Sequence, residues 1–272
     1  MSLGTTLQRS RKQQRLTQKQ VADGICAQSM LSAIENDRYV PNAKLLLALC
    51  NRLKISLATI SLAHDFDINE DAVINTRMQQ LCNQHRYQEL QRLLLASTTL
   101  DHVVTPSQTQ AYYYYLAVTQ IQIGPEFDAA QQSLKLALSM TAETGATTLA
   151  CLATTTLALV NAKCGRQQTA VKLMDQGLSD LKSLSYDENH NVIWYLNALM
   201  RYLLNEPELA RQHLLATITA ITAHQSHYML ANCYRLLAEI AVQQVQTEVA
   251  SDARQKQRFL TDLFQEPVPK KF

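Results

Sequence analysis

Residues 16–56 read LTQKQVADGICAQSMLSAIENDRYVPNAKLLLALCNRLKIS, and the order of polar and apolar side chains in this stretch decides the fold. Thr17 followed three residues later by Gln20 is a capping box, in which each side chain satisfies an orphan amide at a helix start. The helix it opens is short, about 18–24, with Val21 and Ala22 turned inward and Lys19 and Asp23 outward. After a turn through 25–27, the next helix runs from Gln28 to about Asn36. Leu31 and Ile34 point inward with Met30 nearby, while Gln28, Ser29, Ser32 and Ala33 fall on the other side by the 3.6-residue period. Two short helices so separated, the second with a polar outer face, predict a helix-turn-helix. Upstream, Leu3 and Leu7 mark a first helix with a basic outer face. Downstream, a fourth helix from about Asn42 to Leu53 and a fifth opened by Ser56 complete a five-helix head. Leu45, Leu46, Leu49, Leu53, Leu57 and Ile60 supply the rest of its core.

Charge separates this head from the rest of the chain. Residues 1–64 carry a net +6 and the remaining 208 a net −4, within a chain whose overall charge is only +2. A basic head on a mildly acidic body predicts that the head meets a polyanion. A helix laid in the major groove offers side chains to base edges while flanking cations neutralise phosphates. Gln28 is the strongest base-reading candidate, because an amide pairs with adenine N6 and N7. Ser29 and Ser32 specify less, and Ala33 offers only a methyl contact or close approach. Gln18, at the exposed start of its helix, is expected to clamp a phosphate. Arg9, Lys12, Lys19, Arg38 and Lys44 are the remaining backbone-contact candidates.

The same residues resemble the Cro/C1-type (Xre-type) helix-turn-helix family. Its hallmarks are matched by Thr17-Gln18 at the second helix, Ser32-Ala33-Ile34-Glu35 at the end of the recognition helix, and Pro41 before the fourth. The resemblance implies base reading from Gln28, Ser29 and Ala33. It also implies a structural ion pair between Arg11 and Glu35. Many relatives carry Arg or Gln where this chain has Ala33.

Beyond "HDFDINED" (64–71), where the apolar pattern breaks, the chain repeats. Leu90, Ala130, Ala170, Ala210 and Ala250 recur every 40 residues. Leu94, Leu134, Met174 and Leu214 follow one helical turn later, and Arg254 breaks that second series. A small residue lets two helices approach closely, and the large one packs behind it. The pattern predicts helix pairs 69–83 with 87–98, 107–123 with 126–141, 146–163 with 166–184, 187–204 with 206–223, and 226–246 with 250–265. Asn69 and a Ser107–Gln110 box are the expected caps. The turns are "IGPEF" (123–127), "KCGRQ" (163–167) and "LNEPEL" (204–209). Such units cannot bury their apolar faces alone, so they stack into a solenoid with a concave wall. The domains expected are a head at 1–64, a linker at 65–69, about five helix pairs at 70–265, and a tail at 266–272.

These repeats resemble tetratricopeptide repeats, although HEAT-like units also reach this length. An Xre-type head on such repeats is the arrangement of peptide-responsive quorum-sensing regulators of the PlcR, Rgg and PrgX type. That resemblance implies an all-α chain with a right-handed tetratricopeptide-like solenoid, and a transcriptional regulator controlled by a short signalling peptide.

A concave helical wall suits an extended peptide. Asn161, Asn197 and Asn232 lie in the first helices of three successive units, and an asparagine amide bonds both N–H and C=O of a peptide backbone. Tyr195, Tyr228 and Arg201 lie near them in sequence. Of Tyr112–Tyr115, one or two are expected in the core. A homodimer would set two recognition helices about one DNA turn apart, or a multiple of it, on a palindromic double-stranded operator. The last unit, with its Gln-rich and charged outer positions, is expected to cap the solenoid.

Enzyme classes find little support. No P-loop, dinucleotide fingerprint or Gly-x-Ser-x-Gly elbow occurs. Glu206 and Glu208 sit at a helix start, where they favour the local dipole. His224 and His227 lack a third ligand at metal spacing, so no metal or cofactor is expected. The six cysteines form no CxxC pair and read as reduced, packed thiols. No run approaches 18 apolar residues and no signal peptide is evident, which predicts a cytoplasmic protein without a membrane partner. Two function classes stay open: a peptide-controlled DNA-binding regulator, and a protein-capturing scaffold whose head is vestigial or only a tether.

Overall fold

The structure is a computed structural model describing residues 3–36, 38–39, 41–55, 66–124, 127–140, 146–264 and 266–269. It divides into two compact units, Met1–His64 and Asp65–Phe272. Every element among the described residues is helical.

The head contains α1 (Leu3–Gln13), α2 (Gln18–Ala22), α3 (Gln28–Glu35) and α4 (Ala43–Leu53). Leu7, Val21, Leu31, Ile34, Leu49 and Leu53 close its core, each essentially inaccessible to solvent. Thr17 and Gln20 form the capping box that starts α2, and Asn42 caps α4 by accepting the Leu45 N–H at 2.9 Å. Arg52 donates to the Gln20 and Asp23 carbonyls at 2.8 and 2.9 Å, so this cation ties α4 to the end of α2. Gly24 turns the chain between α2 and α3 at φ +69°, a region costly for side chains with a Cβ. The expected fifth helix, with Ser56, Leu57 and Ile60, lies outside the described residues.

The second unit is a stack of helix pairs. They are α5 (Ala72–Asn83) with α6 (Tyr87–Leu94), α8 (Pro106–Ile123) with α9 (Phe127–Ser139), α10 (Thr148–Lys163) with α11 (Gln167–Leu181), α12 (Asn189–Leu203) with α13 (Pro207–Ala223), and α14 (Leu230–Gln243) with α15 (Thr247–Phe264). A short α7 (Ser97–Leu100) follows α6. First and second helices differ in burial. The whole of α10 from Thr148 to Ala162 is buried, whereas α11 buries only Ala170, Met174, Gly177 and Leu181. The first helices therefore form an inner layer and the second helices an outer one. The 40-residue residues are the seam between them. Leu90, Ala130, Ala170 and Ala210 are fully buried, Ala250 nearly so, and Leu94, Leu134, Met174 and Leu214 lie behind them. Arg254 is exposed.

The turns inside the pairs repeat as well. His85, Gly165, Asn205 and Val245, 40 apart or a multiple of it, are all left-handed, with φ between 55° and 73°. In each turn the next residue's N–H reaches back five residues: Arg86 to Leu81, Arg166 to Asn161, Glu206 to Arg201, and Gln246 to Ala241. This is the Schellman closure of a helix end.

Several local expectations are corrected. Asp71, not Asn69, caps α5, accepting the Val73 N–H at 2.8 Å. Asn69 is buried and accepts the Asp71 N–H instead. The box before α8 is Thr105 with Gln108, two residues earlier than Ser107–Gln110, because Pro106 takes the first helical position. The run 87–98 is broken by extended backbone at Ala96 into α6 and α7. Residues 66–69 are no linker: Phe66 and Ile68 are buried in the repeat core, because an apolar pair flanking Asp67 turns inward. Three of the four consecutive tyrosines, Tyr112, Tyr114 and Tyr115, are buried. α14 begins at Leu230, after a left-handed Met229, and α15 at Thr247. The outer side of α15 exposes Asp252, Arg254, Gln255, Lys256 and Arg258, and with them the apolar Val249, Phe259, Leu263 and Phe264.

Candidate nucleic-acid face and repeat groove

In the head, a chain of polar contacts runs from the core to the surface of α3. Arg11 Nε and one terminal nitrogen donate to the two Glu35 oxygens at 2.6 and 2.8 Å, and its other terminal nitrogen donates to the Leu16 carbonyl at 2.9 Å. Gln18 Nε2 donates to Glu35 Oε2 at 2.8 Å, and Gln28 Nε2 donates to Gln18 Oε1 at 2.6 Å. Glu35 is 2% exposed. Burial pushes its carboxyl up, but the Arg11 and Gln18 hydrogen bonds and the Arg11 charge hold it below the usual carboxylate range. A buried carboxylate thus fixes the amide that fixes Gln28.

Gln28 and Ser29 are exposed at the start of α3, and Ser32 and Ala33 are half-buried further along it. Arg9, Lys12, Lys19, Arg38 and Lys44 are exposed on the same domain, with Lys12 Nζ donating to Gln8 Oε1 at 3.1 Å. A shallow cleft joins Arg11, Leu16, Thr17, Gln18, Lys19 and Gln28. Gln18 is half-buried, giving one N–H to Glu35 and accepting from Gln28 through its oxygen, and an amide nitrogen has a second N–H.

The predicted peptide residues fall on different faces. Asn161, Asn197 and Asn232 are all buried rather than on the outer surface. Asn161 donates back to the Leu157 carbonyl at 2.8 Å, while Asn197 Oδ1 has no hydrogen-bond partner. One turn on, Arg201 donates to Glu206 at 3.1 Å, and its Nε is buried without a partner. Tyr195 lies about 200° around α12 from Asn197, so these two do not share a face.

Tyr195 belongs instead to a tyrosine-lined inner wall. Tyr114, Tyr115 and Tyr195 are buried on inner helices, while Tyr87 at the start of α6 and Tyr228 just before α14 are half-buried. Burial pushes these phenols up, so all stay neutral donors. Sequence reasoning missed Asn191, fully buried on α12. It donates to Ser226 Oγ and the Tyr228 carbonyl at 3.2 and 3.1 Å and accepts from the Tyr186 hydroxyl. A polar residue early in an inner helix was its only signal.

Other candidates resolve into packing. His224 stacks on Tyr186 at 3.6 Å and His227 on Phe264 at 3.7 Å, so they do not converge. Among the described residues no metal-ligating cluster occurs, and no helix is long and apolar enough to cross a membrane. All six cysteines are free, and burial pushes Cys151 up to about 11 and Cys82 up to about 12.

A family model of helix-turn-helix domains matches residues 7–60. Among curated protein sequences none matches. Among solved structures, Bacillus thuringiensis PlcR in complex with the peptide PapR7 and DNA is similar over 97% of this chain and 96% of that one, with TM-score 0.70 and 21% identity. PlcR in its apo form is similar over 97% and 94%, with TM-score 0.59 and 19% identity. ComR from S. thermophilus, in complex with DNA and its signalling peptide ComS, is similar over 97% and 95%, with TM-score 0.55 and 12% identity. The head is a helix-turn-helix domain, and nearly the whole chain has the fold seen in PlcR and ComR.

Proposed function

We propose that this chain is a cytoplasmic, sequence-specific DNA-binding transcriptional regulator whose repeat unit binds a short signalling peptide and so tunes a homodimer's grip on a palindromic operator. The observation that carries the reading is the Arg11–Glu35–Gln18–Gln28 chain in a basic head. An amide nitrogen has two N–H donors. With one spent on Gln18, Gln28 keeps the other N–H and its Oε1 for the N7 and N6 edge of an adenine. It does so in a rotamer set before DNA arrives. Gln18 positions Gln28 and keeps its own second N–H for a phosphate. Ser29, Ser32 and Ala33 line the rest of the reading face, and Arg9, Lys12, Lys19, Arg38 and Lys44 meet phosphates.

In the repeats, Asn161, Asn197 and Asn232 with Arg201 form one candidate surface for the peptide backbone, and the tyrosines Tyr195 and Tyr228 form a second. The unpartnered acceptor of the buried Asn197 supports the first surface. The whole-chain fold supports peptide binding, since the similar PlcR and ComR structures hold a peptide and DNA. Gel shifts on fragments of the source genome, with and without candidate peptides, test the reading. Binding to sites with two half-sites about one helical turn apart, or a multiple, and a change in affinity on adding peptide are expected. Equal binding to all fragments, with a protein partner recovered by pull-down, would favour the scaffold reading.

A further inference from the structure

Residues 266–269, beyond α15, reach both ends of the repeat stack. Glu266 Oε1 accepts the Met229 N–H at 2.9 Å, and its other oxygen lies 3.9 Å from His227 Nδ1. The Pro267 carbonyl sits 2.9 Å from His85 Nε2, and the Pro269 carbonyl accepts from Arg235. His85 lies in the turn of the first pair and is held by the Tyr87 hydroxyl at 2.6 Å. Met229 caps α14 and Arg235 lies on it, so both belong to the last pair. Pro267 and Pro269 lock φ and lack an N–H, so the segment cannot prolong α15 and stays extended. Glu266, Val268 and Pro269 are half-buried along this path.

These are the contacts a linear peptide makes in a groove: main-chain carbonyls taken by protein side chains, and one carboxylate taken by a main-chain N–H. Resting on the peptide-groove reading above, we infer that Glu266–Pro269 is a built-in occupant of the groove between His85 and Arg235. The signal is then an extended peptide that displaces it. The contacts also define the ligand class. At Arg235 the segment presents the neutral Pro269 carbonyl, whereas a carboxylate there forms a charge-assisted bond about twice as strong. The displacing peptide therefore carries one acidic group for Met229 and His227 and a second, side-chain or terminal, for Arg235.

The test uses the full chain and its Glu266→Ala/Val268→Ser double variant, both checked by circular dichroism melting. The probe is a fluorescein-labelled synthetic peptide of residues 265–270, followed by anisotropy. A tethered segment acts at an effective concentration of about 1 mM, so an occupant with a Kd of about 0.1 mM weakens a competitor about tenfold. The double variant is expected to bind the probe about tenfold more tightly than the unmodified chain, and His85→Ala in that background is expected to weaken it again. Equal affinity for both chains, or no binding by a folded double variant, overturns the inference. A random peptide library selected on the double variant separates the two levels. Binders that the probe fails to displace reject the built-in occupant and keep the peptide reading. A library without binders rejects both.

Discussion

In the head, the space beneath α3 is filled by charge: Arg11 and Glu35 meet at 2.6 Å with Glu35 almost inaccessible. In the repeats, the equivalent space between paired helices is filled by Ala130, Ala170 and Ala210, which have no polar side-chain atoms to satisfy. The difference reflects what each surface must do. Alanine lets helices approach and be copied every 40 residues. A buried ion pair contributes little net stability, because desolvation offsets much of the attraction. It does orient neighbours, and here its second carboxylate oxygen holds Gln18 and through it Gln28. The head uses a costly pair to aim one side chain, and the repeats use inexpensive packing to build a wall.

Removing half of the pair should give the largest effect. Glu35→Ala leaves the Arg11 guanidinium without its main partner and should destabilise the head by about 3–5 kcal/mol. Urea unfolding would show the head melting first while the repeat transition stays in place. Because the Glu35 carboxyl is held below its ordinary value of about 4.3, its contribution is complete above that pH. It should be lost as the pH falls through the lower folded value. A pH series of head melting should therefore be flat near neutrality and fall in acid, and Glu35→Gln should flatten the acid limb.

A smaller effect is expected in the repeats, where Gly177 of α11 packs on α10. A Cβ at 177 would lie 2.6 Å from Thr155 Cγ2. In an exposed helix Gly→Ala gains about 1 kcal/mol. Here Thr155 is fully buried and its hydroxyl donates to the Cys151 carbonyl at 2.8 Å, so it cannot turn aside. Gly177→Ala should lose about 1–2 kcal/mol net, since overpacking costs about 1–3 kcal/mol. Thermal unfolding would show a lower midpoint, and a rise would mean the helices separate freely.

The smallest effect lies at the last turn. Val245 is 82% exposed with φ 59°, where a β-branched side chain costs about 1–2 kcal/mol. Val245→Gly should raise stability by about 1 kcal/mol, and the same change at the neighbouring exposed Val242, inside α14, should lower it.

The repeat register was readable because small residues on a seam recur in any stack of pairs, and Leu90 to Ala250 mark it. The left-handed turns were readable only at Gly165, since His85, Asn205 and Val245 carry no glycine to announce them. The break between α6 and α7 has no Gly or Pro near it. Cap positions slipped by two residues where Asn69 and Asp71, or Thr105 and Ser107, compete for the same amides. On α3 the exposed positions came from helical period alone. The bond from Gln28 to Gln18 joins side chains ten residues apart, and period does not describe that distance. The docking of 266–269 against His85 spans more than 180 residues and leaves no local trace.

Base reading by a pre-aimed Gln28 on α3 of a basic head is what everything else depends on. Its sharpest test is the anisotropy of a duplex selected from random DNA, titrated with the unmodified chain and with the Gln28→Ala/Arg9→Ala variant over a range of salt. Tight binding that weakens steeply with salt is expected of the unmodified chain. The double variant should show a shallower salt slope and no preference for the selected duplex over a scrambled one. Undiminished preference in the double variant would contradict base reading by Gln28.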